Sequence, residues 1–185
     1  MTRDGEVRGL SAQALRSLVG GRVERIRLWS AEDADEELSG DELAGVVDVD
    51  HGVVVSTTAG ELALAWRIDG YYEYLSAVGD PAASPAARVN RMADVSDGRP
   101  WRGLIGATVT GVGTATAEAE DGSKLLWSVR LETDAGPSLT VALGETEDGA
   151  VEYRPSNLVA VFDRRVAETY AIEPGGESAW GTDFG

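Results

Sequence analysis

The chain repeats one pattern of apolar residues and glycines, and this repeat constrains its fold more than any other feature. The early part of the pattern, Leu18-Val19-Gly20 with Val23 and Ile26, returns as Leu104-Ile105-Gly106 with Val109 and Val112. The later part, Val53, Val55, Thr57, Ala59-Gly60, Leu62, Leu64 and Trp66, returns as Val129, Leu131, Thr133, Ala135-Gly136, Leu139, Val141 and Leu143. We interpret the repeat as an internal duplication. The alternative is coincidence, because alternation alone makes strands resemble one another.

Apolar residues alternate with polar ones in most of the repeated segments, and the clearest case is Leu125 to Thr133. A period of two is typical of a strand with one buried face. Helical signals are few. Ser11 is a suitable N-cap for a helix through Val19, and Ser84-Pro85 begins a predicted helix over 85–93 that would carry Val89 and Met92 inward. The sequence therefore predicts a mainly β (α+β) protein.

One repeat is too small to cover its own sheet, so we expect the two copies to pack their apolar faces together. The predicted result is a pseudo-twofold pair of antiparallel β units that form a β-sandwich or barrel with short helices at the ends. Trp66 and Trp127, which are in phase with the apolar residues around them, would fill the shared interior. Two independent domains are the alternative.

The predicted organisation has four parts. Residues 1–80 form a first β-rich repeat, 81–98 a helical linker, 99–163 a second β-rich repeat, and 164–185 a C-terminal tail that is either disordered or docked through its aromatic residues.

Composition narrows the classes of function. The chain carries 32 acidic residues against 16 basic ones, a net charge of −16, which repels nucleic acid and favours a basic protein partner. The alternative is that the charge only maintains solubility. Without cysteine there are no disulfides or thiolate metal sites. No apolar run approaches the roughly 20 residues of a membrane span, and no secretory signal is visible. We expect a cytoplasmic protein, either a monomer or a homodimer.

Residues that could carry catalysis are scarce. The one histidine, His51, follows Asp48 and Asp50, and three such groups could hold a divalent ion. Asp-His-Gly is also an ordinary hairpin connection, which is the interpretation we favour. The acidic stretch 32–42 does not match a calcium-binding loop, and no phosphate-binding glycine motif is present. We therefore predict no catalytic residues, no metal and no cofactor, and hence a protein that is not an enzyme.

Three groups of residues are candidates for recognition. Tyrosines on a strand edge offer rigid contact area, acidic residues offer charge, and arginines offer contacts to an anionic ligand. The candidates are Tyr71, Tyr72 and Tyr74, then Asp33, Asp35 and Glu36, and finally Arg67, Arg130 and Arg154.

The first two groups favour a non-catalytic interaction protein that binds a basic partner, as inhibitors and immunity proteins do. The arginines favour the alternative, a small-ligand-binding protein or enzyme with a cavity between the duplicated halves. A third possibility is a structural subunit that forms a homodimer through its edge strands.

Overall fold

The structure, a computed structural model, describes residues 7–30, 43–88 and 91–184. Two short α-helices lie within these ranges, α1 (Ala12–Leu18) and α2 (Arg164–Thr169), together with short 3₁₀ helices at Pro81–Ala83, Pro85–Arg88 and Trp101–Gly103. The strands are β1 (Val7–Arg8), β2 (Val23–Ser30), β3 (Val46–Val49), β4 (Gly52–Thr57), β5 (Gly60–Asp69), β6 (Tyr72–Val78), β7 (Arg91–Asp94), β8 (Val109–Glu118), β9 (Lys124–Thr133), β10 (Ser138–Leu143), β11 (Glu145–Glu147), β12 (Ala150–Glu152), β13 (Leu158–Val161) and β14 (Thr182–Asp183).

The mainly β prediction is confirmed, and the arrangement is consistent with a β-sandwich. A seven-stranded sheet has the order β14-β8-β9-β10-β13-β3, and β1 pairs with one end of β9. A five-stranded sheet has the order β6-β5-β4-β2-β7, and β11 pairs with β12 as a separate hairpin. Apart from β1, all pairs of named strands are antiparallel. None of the helices in these ranges has the length and apolarity to cross a membrane.

Side chains from both sheets belong to one apolar core. Val53 and Leu62 of the five-stranded sheet lie in the same buried cluster as Val129 and Leu139 of the seven-stranded sheet. Each fully buried aliphatic side chain contributes about 1.5–3 kcal/mol relative to an exposed one. A smaller cluster, formed by Trp29, Val54, Ala63 and Ala65, is covered by Ala86 and Ala87.

The two sheets repeat the same connectivity. In one, β2, β4, β5 and β6 are neighbours in chain order, and in the other the same holds for β8, β9, β10 and β13. A later strand then returns to pair with the first one, β7 with β2 and β14 with β8. The first strand of each sheet also has a register shift near its start, between Val23 and Arg25 and between Val109 and Gly111.

The equivalent segments 20–23 and 106–109 lie antiparallel and exchange backbone hydrogen bonds. Gly20 N–H donates to the Val109 carbonyl and Gly106 N–H to the Val23 carbonyl, both at 2.8 Å between N and O. Arg22 and Thr108 face each other at the centre of this contact. The halves thus share a topology and a reciprocal contact, while their origin from one duplicated gene stays a prediction.

The strands of the first half of the chain do not all belong to one sheet. Strand β3 belongs to the first half of the chain but pairs with β13 in the seven-stranded sheet. The helix predicted over 85–93 is wrong, because the chain forms a 3₁₀ helix at Pro85–Arg88 and then strand β7. Pairing with β7 satisfies the backbone groups of β2 that would otherwise lie at a sheet edge. Met92 is consequently 43% exposed instead of buried, and Val89 lies outside the described residues.

The two tryptophans expected in the interior differ in burial. Trp127 is buried, as predicted, but the β8–β9 register shift leaves it without a cross-strand partner. Its ring meets that of Tyr170 edge to face, with 5.5 Å between centroids. The Tyr170 hydroxyl donates to the Leu143 carbonyl, and burial raises the pKa of Tyr170. Trp66 is only half-buried and lines a surface cleft.

Candidate functional site

A cleft of about 700 Å³, here called the acidic cleft, lies where the ends of several strands meet. The turn after β3 contributes Asp50 and His51, β5 contributes Trp66, and the start of β11 contributes Glu145 and Thr146. Its lining is completed by Asp48, Val49, Ser156, Asn157 and Leu158. The antiparallel pairing of β3 with β13 sets Val49 opposite Leu158, and so brings these distant parts of the chain together.

Hydrogen bonds hold one wall of the acidic cleft in place. Thr146 N–H donates to Asp48 Oδ1 at 2.9 Å between N and O, and the Thr146 hydroxyl donates to Asp48 Oδ2. Arg154 Nε donates to Glu145 at 2.5 Å between N and O, and the Asn157 side-chain amide donates to the same carboxylate. The carboxylates of Asp48 and Glu145 are therefore fixed by the protein itself.

Asp50, His51 and Trp66 present free surface in the same cleft. Asp50 is exposed and the other two are half-buried. Within the described residues, no hydrogen bond or ion pair involves the side chain of Asp50 or His51. Because Arg154 is held by Glu145 and Glu147, the remaining charge of the lining comes from Asp48 and Asp50 and is negative. A cleft lined by both a carboxylate and an indole suits an ammonium or guanidinium group, which can form an ion pair with one and a cation–π contact with the other.

Exposed apolar surface continues from Trp66 along β5. By strand alternation, Ile68 is on the same face as Trp66, and it is 55% exposed. Glu73 lies opposite Ile68 in the β5–β6 register, and one of its carboxylate oxygens is buried without a hydrogen-bond partner. Burial, together with the charges of Glu73 and Glu173, raises the pKa of Tyr153, which is partly exposed. The neighbourhood thus combines apolar surface with carboxylates.

The three candidate tyrosines have different environments. Tyr71 is fully exposed in the turn between β5 and β6. Tyr72 is half-buried, and the Arg8 guanidinium lies 4.8 Å from its ring centroid. Tyr74 is buried, close to the backbone of Gly9. Of the three, Tyr71 has most surface available to a partner.

The candidate arginines are not brought together. Arg67 is exposed and lines a separate cleft of about 300 Å³ with Ser76 and residues 7–11. Arg130 is buried beneath the C-terminal segment, and Arg154 bridges Glu145 and Glu147. No shared anion-binding cleft follows from these positions. The acidic candidates Asp33, Asp35 and Glu36 lie outside the described residues.

The metal interpretation of Asp48, Asp50 and His51 finds no geometric support. Across residues 7–30, 43–88 and 91–184, no three acidic or histidine side chains are grouped so that they could hold a metal ion. Both oxygens of the Asp48 carboxylate already accept hydrogen bonds from Thr146.

Sequence reasoning singled out Tyr71 but not the acidic cleft beside β5. The alternation of Trp66 with Leu62 and Leu64 predicts a position in the interior, but Trp66 is half-buried and lines the cleft. One signal in the sequence is that charged residues become frequent after Trp66, at Arg67 and Asp69. In the structure these two residues and Ile68 are an exposed continuation of β5. Glu145 and Asn157 could not have been found in this way, since only the folded chain brings them to Trp66.

Comparisons with protein-family models, with curated proteins and with solved structures each find no match.

Proposed function

We propose that this protein is a non-catalytic cytoplasmic binding protein that engages a basic partner protein, in the manner of an inhibitor or immunity protein. The observation that carries the proposal is that the half-buried Trp66 and the unpaired Asp50 carboxylate line the same cleft, whose lining is negatively charged. Tyr71 and Ile68 offer apolar contact surface near the same end of β5.

The physical argument combines steering with contact energy. A net charge of −16 attracts a basic protein over a distance of about 8–10 Å at physiological ionic strength. A lysine or arginine that reaches the acidic cleft then gains a contact with the Trp66 ring worth about 0.5–2 kcal/mol, depending on how far it is desolvated. Aromatic residues flanked by polar ones are typical of the energetically dominant part of protein interfaces.

The test compares three forms of the immobilised protein in native lysate: wild type, Asp50→Asn and Glu120→Gln. Each substitution removes one carboxylate charge from an exposed side chain, but Glu120 lies outside the acidic cleft. We expect a basic protein to bind wild type and Glu120→Gln equally, and to bind Asp50→Asn several-fold more weakly, with an affinity that falls as salt is added. Trp66→Leu is expected to weaken the same complex.

Two outcomes contradict the proposal. One is that no protein of high isoelectric point is retained by wild type. The other is that a basic protein is retained equally by wild type, Asp50→Asn and Trp66→Leu, because its attachment then does not use the acidic cleft.

A further inference from the structure

The C-terminal residues 177–184, here called the strap, lie across the outer edge of the seven-stranded sheet. Thr182 and Asp183 form β14 and pair with Thr114 and Gly113 of β8. The Glu177 carboxylate accepts from Thr116 N–H at 2.9 Å between O and N, and Phe184 N–H donates to the Val112 carbonyl at 2.8 Å. The strap therefore covers backbone groups of β8 that would otherwise form an open sheet edge.

Beneath the strap lies Arg130, which is 2% exposed. Its guanidinium donates to the Trp180 carbonyl at 2.9 Å between N and O and to the Asp183 carboxylate, and its Cζ lies 4.4 Å from the Trp180 ring centroid. Gly113 on β8 leaves the space that the guanidinium occupies, because a Cβ at position 113 would lie 2.7 Å from Arg130 Cζ. The strap supplies most of the partners of this buried charge.

Three apolar side chains of the strap contact the core, and of these only Ala179 is fully buried. Trp180 and Phe184 are half-buried, and the Asp183 side chain is 89% exposed. The loop before the strap, Pro174-Gly175-Gly176, is exposed throughout. Segments with little buried apolar surface open locally at a lower free-energy cost than the whole domain.

A second acidic group, Glu132, already pairs with Arg130 and does not belong to the strap. The Glu132 carboxylate lies 3.4 Å from the guanidinium nitrogen of Arg130 that also bonds Asp183. On the neighbouring strand β10, Thr140 lies opposite Arg130 in the register and has a buried hydroxyl with no hydrogen-bond partner. Arg130 Nε has none either. Arg130 thus has one ion-pair partner, Glu132, that does not depend on the strap.

We propose that the strap is a latch that opens as a unit about the loop 174–176 while both sheets stay folded. In the closed state Asp183 and Trp180 hold Arg130. In the open state Arg130 keeps its ion pair with Glu132 and is reached by solvent together with Ser128, whose hydroxyl donates to the Ala179 carbonyl in the closed state. Opening also frees the edge of β8. Arg130 can meet an anion from outside the protein only in the open state.

Hydrogen–deuterium exchange of the full chain tests the latch. The reporters are the amides of Thr116, Trp180 and Phe184, each of which donates a hydrogen bond that ties the strap to the body. We expect Asp183→Ala to accelerate their exchange about tenfold or more, because it removes a charge-assisted hydrogen bond. Amides of β4 and β5 should exchange as in wild type. Low concentrations of urea should scarcely affect the reporters, since local opening exposes little surface.

The matched control is Thr182→Ala, which shortens an exposed side chain on the same strand without removing a contact to Arg130. It should leave the reporter amides within about twofold of wild type, as is usual for substitutions at the surface. The latch is refuted if Asp183→Ala leaves the reporters unchanged, or accelerates β4 and β5 equally. It is also refuted if Thr182→Ala has the same effect as Asp183→Ala.

Discussion

At the scale of single residues, Gly113 and Arg130 depend on each other. The guanidinium of Arg130 occupies the space that a Cβ at position 113 would need, with Cζ, Nη2 and Nε all within 2.9 Å of that point. Because Arg130 is buried and hydrogen-bonded to the C-terminal segment, it cannot move aside without losing its partners. A glycine in the middle of a strand is accounted for here by the close approach of a side chain.

We therefore expect Gly113→Ala to lower the free energy of unfolding by about 1–3 kcal/mol, the usual cost of overpacking. Gly111→Ala on the same strand is the control, because its one tight contact would be with the flexible end of Glu132, at 3.1 Å, and its contact with the Glu132 Cβ, at 3.9 Å, is an ordinary one. It should cost less than half as much. Urea unfolding of the two variants measures the difference, and equal losses would contradict the assigned role of Gly113.

Residue-scale predictions from sequence succeeded where the local pattern decides and failed where neighbours decide. The Ser11 hydroxyl caps α1 as predicted, since capping depends on residues three positions apart. The burial of the tyrosines does not follow from the local pattern. Alternation grouped Tyr72 with Tyr74, but Tyr74 is buried against the N-terminal segment and Tyr72 lies under Arg8, contacts made by residues more than 60 positions away.

At the scale of elements, the two halves end their first helical turns in the same way. Gly20 and Gly106 both have φ of +84°, in the region that favours glycine, and a Cβ at either position would meet no atom within 4 Å. The cost of replacing them is therefore one of backbone conformation and not of packing.

Gly20→Ala and Gly106→Ala should each lower the free energy of unfolding by a similar amount, about 1–2 kcal/mol. Gly103→Ala is the control, since this glycine also has open space around it but no positive φ. It should change stability by less than about 0.5 kcal/mol, as surface substitutions usually do. Thermal or urea unfolding provides the comparison, and markedly unequal effects at positions 20 and 106 would show that the halves are not locally equivalent.

Most strands could be predicted because one buried face imposes a period of two. The strand predicted from the alternation of Leu125 to Thr133 is present as β9. The failure at 85–93 has a different cause. Local signals there favour a helix, but residues 91–94 form a strand because they pair with the edge of β2. The conformation of this segment is therefore set by its pairing partner and not by its own sequence.

At the scale of the whole molecule, one core joins the two halves. Leu64 and Leu139 come from different sheets, are both buried, and belong to the same apolar cluster. Backbone hydrogen bonds between segments 20–23 and 106–109 also connect the halves directly. A chain built in this way cannot unfold one half while it keeps the core of the other intact.

Unfolding should accordingly be a single cooperative transition. Leu64→Ala and Leu139→Ala are each expected to lower stability by about 2–5 kcal/mol, the usual cost of a buried leucine. Tryptophan fluorescence and far-ultraviolet circular dichroism should give the same midpoint in urea for each variant. Two separated transitions, one moved by each substitution, would indicate independent domains.

The β class, most strand positions, the acidity and the glycines at positions 20 and 106 follow from the order of residues alone, because alternation, charge and turn chemistry are local properties. Three features depend on the folded chain: β3 pairs in the other sheet, the strap covers Arg130, and Trp66, Asp50 and Glu145 line one cleft. Sheet edges and buried charges need partners, and these partners can come from any part of the chain. The spacing of residues along a strand does not indicate which partner that is.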